Sequence, residues 1–209
     1  MGYQHIKFDA EGLKFEGVLS LRENSKSGPG AVLCHPHPLR GGNMDNHVIT
    51  GLSVALDQDE ISNLRFNFRG VGNSEGEYSE GELEHLEIIG AQDLLLNNNE
   101  ISITSIFTLG YSFGSRVILG HIEVMTSTSK LVLISPQTEA VKQSYLHELE
   151  IPVLIISGSK DHICDIDGLL DFAKTESGHI HIEKIEGADH YWIGYEEQLT
   201  DTIRRFLHE

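Results

Sequence analysis

The sequence SIFTLGYSFGSRVIL at residues 105–119 decides the fold. It joins a short apolar run to a helical pattern through the pentad GYSFG at 110–114, which matches G-x-S-x-G. A serine hydroxyl attacks only if a tight strand-to-helix turn holds it exposed, and glycines on both sides remove Cβ atoms that would collide there. The helix that follows also points free N–H groups at developing negative charge. The pentad predicts Ser112 as a nucleophile, and the alternative is a chance turn of glycine and serine.

Strand and helix patterns alternate on both sides of this turn. Residues 3–9 and 13–22 alternate apolar and polar side chains, which predicts an antiparallel pair of strands, and the polar stretch 23–30 predicts an exposed connection. Buried strands are predicted at 31–34, 61–68, 106–109, 131–134, 153–156 and 180–185, with helices at 46–58, 81–97, 113–125, 166–176 and 191–208. This order predicts one α/β domain over 1–209, a mostly parallel sheet with helices on both faces, and reactive groups beyond the carboxyl ends of the strands.

A reactive serine needs a base within hydrogen-bond reach and a carboxylate that fixes the imidazole tautomer. On strand-to-helix turns of this kind the acid and then the base follow along the chain. Asp161 comes just after the apolar run at 153–157, and His190 lies in the segment before the last helix. We therefore predict Asp161 and His190 as partners of Ser112. The alternatives are Asp165 or Asp167 as the acid, and His162, His179 or His181 as the base.

The segment CHPHPLRGG at 34–42 follows the first buried strand, where such sites place a second donor for an oxyanion. The donor must be a backbone N–H, which excludes both prolines and leaves His37 or Leu39. We favour His37, with the amide of Phe113 as the other donor. A metal pair of His35 and His37 is the alternative, but no further ligand pattern accompanies them.

Composition excludes several other classes of protein. Lys and Arg number 15 against 32 Asp and Glu, a formal net charge of -17, so nucleic acid is a poor partner and neutral or cationic small molecules are favoured. Cys34 and Cys164 are too few for a disulfide framework and lack metal-ligand spacing, so we expect them to be packing residues. The sequence shows neither a signal peptide nor an apolar run of about 18 residues, which predicts a cytoplasmic protein with no membrane partner.

Taken in order, these motifs resemble those of small hydrolases of the α/β superfamily. Members carry H-P-H-P-x-x-G-G after the third strand and R-F-N-F-R-G-V-G-x-S-x-G after the fourth, and this chain has HPHPLRGG at 35–42 and RFNFRGVGNSEG at 65–76. The likeness extends from about residue 30 to 195. It implies a triad of Ser112, Asp161 and His190, and neither metal nor organic cofactor. The chain is more distantly similar to prolyl-oligopeptidase-type peptidases and to dienelactone hydrolases, whose nucleophile is cysteine.

The stretch 135–151 leaves room for only one short helix, so no cap domain is expected. An open cleft cannot bury a long acyl chain, which predicts a serine hydrolase of short-chain carboxylic esters. The alternatives are a peptidase, a lactone or thioester hydrolase, and a non-catalytic binding module on the same fold. The glycines of 69–76 are expected to shape a turn and not to take part in catalysis.

Overall fold

A mixed sheet of eight strands organises the chain, which a computed structural model describes over residues 2–24, 26–173 and 178–209. The strands are β1 (Tyr3–Ala10), β2 (Leu13–Ser20), β3 (Ser27–Cys34), β4 (Ser62–Phe66), β5 (Ser102–Tyr111), β6 (Thr128–Ile134), β7 (Val153–Gly158) and β8 (Ile180–Ile185). Their order across the sheet is β1-β2-β4-β3-β5-β6-β7-β8. Strand β2 is antiparallel to β1 and β4, and the pairs from β4 to β8 are parallel. The predicted mostly parallel sheet with an antiparallel N-terminal pair is confirmed.

The third strand begins earlier than the sequence predicted. Residues 27–30, expected in an exposed connection, belong to β3 and pair with β5. Proline cannot donate to a ladder, but the register shifts between Gly28 and Pro29, and β4 pairs with β3 only from Gly30 onward. Pro29 therefore lies at a bulge and has one neighbouring strand, β5. Pairing with β5 outweighs the Ser, Gly and Pro content of residues 27–30, which favours a turn.

Six helices accompany the sheet in the part of the chain that the structure describes. They are α1 (His47–Gln58), α2 (His85–Leu96), α3 (Phe113–Gly120), α4 (Thr138–Lys142), α5 (Ile166–Ala173) and α6 (Glu196–His208). Helices α2 and α6 begin later than predicted, and α3 gives way after Gly120 to a 3-10 helix at 122–127. Before α2 the Glu84 carboxylate accepts hydrogen bonds from Ser79 and Gly81, which holds that segment in a turn. Residues 174–176 of the predicted fifth helix lie outside the described residues.

Two apolar clusters cover the two faces of the sheet. One includes α1 and α6, and the other includes α2, α3, α4 and α5. Strand β3 shows why both form, because Ala31 and Leu33 belong to the first cluster whereas Val32 and Cys34 belong to the second. The prediction of helices on both faces is confirmed.

The connections of β3 determine where a cleft can open. The chain leaves β3 for β4 on one side and then returns to β5 on the other, so the carboxyl ends of β3 and β5 lie side by side, with Cys34 opposite Gly110. Ligand sites of open α/β sheets form at such a reversal of strand order. The loop after Cys34 and the turn after Tyr111 are therefore neighbours.

Little structure stands over this end of the sheet. Between β6 and β7, residues 135–151 form α4 and a 3-10 turn at Leu146–Glu148, which confirms that no cap domain is inserted there. The described residues include no helix with the length and apolar character that a membrane crossing requires.

Candidate active site

Ser112 lies on a strained turn between β5 and α3. Its φ is 54° and its ψ is -102°, a left-handed region that residues other than glycine rarely adopt. A Cβ on Gly110 would lie 2.6 Å from the Ser115 amide nitrogen, and one on Gly114 would lie 2.4 Å from the Cys34 carbonyl oxygen. Both glycines are therefore required, because the turn packs backbone against backbone on each side.

The three predicted residues meet at this turn. The Oγ of Ser112 is 3.0 Å from His190 Nε2, and His190 Nδ1 is 2.9 Å from Asp161 Oδ2. An ionised carboxylate only accepts hydrogen bonds, so the imidazole donates from Nδ1. Its Nε2 is then left with the lone pair that can accept the serine hydroxyl proton.

The Asp161 carboxylate is held by several donors, and its side chain is fully buried. Besides His190 it accepts hydrogen bonds from Ser157 Oγ at 2.9 Å and from the Ile163 amide at 2.8 Å. Burial alone would raise the pKa of Asp161, but the hydrogen bonds from His190 and from the Ile163 amide outweigh burial and hold that pKa well below its usual range. The group is therefore an anion at neutral and mildly acidic pH.

Two residues that the sequence did not identify help to hold the His190 segment in place. Tyr111 Oη donates to the His190 carbonyl at 2.7 Å. Trp192 is fully buried two residues later, and its indole Nε1 donates to Ser135 Oγ at 3.1 Å. Tyr111 stands inside the G-x-S-x-G pentad and Trp192 is the chain's single tryptophan, but neither signal says which group the side chain bonds to.

The rival residues have other partners. Asp165 Oδ1 accepts the Gly168 amide, and Asp167 pairs with Lys184 at 2.8 Å. His181 packs against the ring of Phe206. The His162 ring lies 6.0 Å from the His190 ring, and His179 Nε2 contacts the Leu146 carbonyl.

The two predicted oxyanion donors lie beside the serine. The rings of His37 and Phe113 are 5.2 Å apart. Phe113 is the first residue of α3, where an amide has no partner within the helix. Across the described residues no acceptor is found for the amides of His37 and Phe113, whereas the Leu39 amide donates to His37 Nδ1 at 3.2 Å. The two amides are therefore free to bind an oxyanion, and Leu39 is already engaged.

His35 joins the loop to the neighbouring strand end. The Phe68 amide donates to His35 Nε2 at 3.1 Å, so Nδ1 carries the proton and donates to the Pro36 carbonyl at 2.7 Å. Burial lowers the pKa of His35 to about 4. Both ring nitrogens contact backbone, which leaves no lone pair for the alternative metal pair. No group of three or more His, Cys, Asp or Glu suited to a metal occurs in the described parts of the chain.

The glycine-rich loop 69–76 is fastened away from the serine. Arg69 forms a buried ion pair with Glu87, and Glu16 Oε1 accepts from the Asn73 amide at 2.8 Å. No residue of 69–76 lines the cleft in the described structure. Cys34 and Cys164 are both buried free thiols of the core, as expected of packing residues.

A cleft of about 520 Å³ opens at the serine. Its walls come from the loop after β3, the start of α3, and the loops that carry Asp161 and His190. Its lining residues are Pro36, His37, Arg40, Gly41, Gly42, Asn46, Tyr111, Ser112, Phe113, Arg116, Gln137, His162, Ile163, His190 and Tyr191. Polar groups converge on one partly buried hydroxyl, as in sites that act on small molecules.

This arrangement is typical of the α/β hydrolases. Proteins of that class have a parallel sheet covered on both faces, a serine on a strained strand-to-helix turn, and an acid and a histidine on later loops. The chain belongs to the alpha/beta hydrolase domain family, which it matches over residues 31–202. The resemblance inferred from the motifs is confirmed.

Known relatives agree with this membership. An uncharacterized protein of Rickettsia prowazekii (strain Madrid E) is 31% identical over 97% of this chain and 87% of its own length. An alpha-beta serine hydrolase homologue from Coxiella burnetii has a TM-score of 0.85 and 26% identity, and the match covers 98% of this chain and 97% of that one. A serine hydrolase without lid from Xanthomonas campestris shares the fold, with a TM-score of 0.84, 22% identity, and coverage of 100% and 94%.

Proposed function

We propose that the protein is a serine hydrolase that cleaves short-chain carboxylic esters. Ser112 is the nucleophile, His190 the general base, and Asp161 the group that orients the imidazole. The supporting observation is the unbroken chain of hydrogen bonds from the Ser112 hydroxyl through both imidazole nitrogens to the carboxylate, at 3.0 and 2.9 Å.

The proposed reaction has two halves. Ser112 Oγ bonds to the ester carbonyl carbon while His190 Nε2 takes the hydroxyl proton, and the oxyanion accepts hydrogen bonds from the Phe113 and His37 amides. The bond to the alcohol oxygen then breaks, and His190 returns the proton to that oxygen. Water repeats the sequence on the acyl-enzyme, releasing the acid and restoring the serine.

The state of His190 sets the pH dependence of this cycle. A protonated imidazole cannot accept the serine proton, so the rate should fall as the solution becomes acidic. Asp161 stays ionised through this change because its hydrogen bonds hold its pKa low. A pH profile of kcat/KM measures this, and a rate that rises toward acid pH would contradict the proposed base.

Labelling by a fluorophosphonate tests the nucleophile. Wild-type protein should be labelled and should hydrolyse p-nitrophenyl butyrate, and Ser112→Ala should lose both. Ser102→Ala is the matched control, because Ser102 is an exposed serine at the opposite end of β5. Binding of esters without labelling or turnover would instead favour a non-catalytic module.

The shape of the cleft supports short acyl groups. The segment between β6 and β7 supplies only α4 and one 3-10 turn, so no helical cap shields a long chain from water. Acetate and butyrate esters should therefore be hydrolysed faster than palmitate esters. Aminoacyl p-nitroanilides belong in the same panel, since faster cleavage of these amides would favour a peptidase.

A further inference from the structure

Two arginines of the cleft have no acidic partner. Carboxylates outnumber basic side chains 32 to 15 in this chain, and the arginines that pair with one are Arg22, Arg65, Arg69 and Arg204. Arg40 and Arg116 both line the cleft, and neither has a carboxylate oxygen within 4.0 Å in the described structure. Arg205 on α6 also has no carboxylate partner in the described structure, so the location of Arg40 and Arg116 at one cleft is what points to a function for their charge.

Both arginines line the same cleft as Ser112, one on α3 and one on the 3-10 turn Pro38–Arg40. Arg116 follows Ser112 by four residues and its amide donates to the Ser112 carbonyl at 3.0 Å, so the two share one face of α3. Helical side chains lean toward the N-terminus, which for Arg116 is the cleft. Arg40 ends the 3-10 turn that follows His37, and its amide donates to the His37 carbonyl at 3.0 Å.

Each arginine thus follows, three residues along the chain, one of the two residues whose amides are free: Arg116 follows Phe113, and Arg40 follows His37. The pKa of His37 is lowered first by burial and then by the positive charges of Arg40 and Arg116, which places both charges near one imidazole. Arg116 also borders a neighbouring cavity that Glu80, Glu82 and Glu148 help to line, but it forms no ion pair with them.

The charged residues that line the cleft are therefore opposite in sign to the net charge of the chain. No Asp or Glu is among the described residues that line the cleft, and the N-terminal end of α3 adds partial positive charge. Distant surface carboxylates act weakly here, because physiological salt screens charges beyond about 8 Å. Arg40 and Arg116 are the only Arg, Lys, Asp or Glu residues among the described residues that line the cleft, whereas the Asp161 carboxylate lies behind His190 and is paired with it.

We propose that the substrate carries its own carboxylate on the acyl side, as a half-ester of a short dicarboxylic acid does, and that Arg40 and Arg116 bind this carboxylate. The acyl side follows from the proposed function, on which this inference rests. His190 must reach the alcohol oxygen, so the alcohol lies toward the imidazole. The arginines lie with the oxyanion-donating amides instead. This proposal replaces the preference for neutral or cationic substrates that the net charge predicts.

Three p-nitrophenyl esters of matched length test the charge preference: the half-ester of glutaric acid, its methyl ester, and the ester of 4-(trimethylammonio)butyric acid. Each kcat/KM is divided by the rate of alkaline hydrolysis of the same ester. The ratio of anionic to neutral ester should exceed one in the wild type. It should fall about fivefold in Arg40→Gln or Arg116→Gln, and further in the double variant.

Arg205→Gln is the matched control, because Arg205 is an exposed arginine on α6 outside the cleft and the substitution removes the same charge. Its ratio should equal that of the wild type. A preference for the cationic ester, or an equal fall of the ratio in Arg205→Gln, would overturn the inference. If the wild type is labelled by the fluorophosphonate and hydrolyses the neutral ester but does not prefer the anionic ester, this inference is refuted and the proposed function is not. Absence of both labelling and hydrolysis would refute the proposed function itself.

Discussion

Acid should destabilise the fold through His35, the buried imidazole that joins the loop after β3 to the end of β4. Its folded pKa is about 4, because burial disfavours the charged ring, against about 6.5 for an unfolded histidine. Between these values the unfolded chain binds more protons, so stability is present above pH 6.5 and is lost as pH falls toward 4. At pH 5 the linkage relation gives a loss of about 2 kcal/mol, and the loss reaches about 3 kcal/mol below pH 4.

His35→Gln isolates this contribution. The Gln side-chain oxygen can reach the position of Nε2 and accept the Phe68 amide, but it does not titrate. Urea unfolding at pH 7.5 and pH 5.0 gives, for each protein, the unfolding free energy that is lost on acidification. This loss should be about 2 kcal/mol larger in the wild type than in His35→Gln. Other titrating groups are common to both proteins and cancel in this comparison. Equal losses, or an NMR titration of His35 near pH 6.5, would refute the reasoning.

Three further substitutions test the site and its frame. Asp161→Asn should lower kcat for p-nitrophenyl butyrate by about 10⁴-fold, because an amide no longer fixes the imidazole tautomer, and a loss below tenfold would argue against its role. Arg69→Met should cost about 3 to 5 kcal/mol in urea unfolding, since it leaves the buried Glu87 carboxylate unpaired, and the added change Glu87→Leu should restore much of that loss. Gly114→Ala should cost about 1 to 3 kcal/mol and reduce fluorophosphonate labelling, because its Cβ would meet a β3 carbonyl at 2.4 Å. Gly120→Ala, with no atom within 4 Å of its Cβ, should do neither, and similar losses in both variants would contradict the steric explanation.

Much of the fold could be predicted because its signals are local. Apolar runs of strand length alternate with helical patterns, and only a few connection rules apply to such an order. The boundaries were less predictable, as residues 27–30 show. Their Ser, Gly and Pro content is typical of a loop, but β5 offers a partner strand that no local pattern reveals.

The sequence by itself determined the strand-to-helix turn at Ser112 and the chain order of serine, aspartate and histidine, because steric demands on the turn fix its glycines and the fold fixes the order. Only the tertiary structure decided that His190, 78 residues beyond Ser112, places an imidazole nitrogen 3.0 Å from its hydroxyl. It also decided that, among the described residues, the charged side chains lining the cleft are Arg40 and Arg116. Composition gives the average field of the whole chain, whereas the field at one hydroxyl depends on which side chains folding brings within a few ångströms of it.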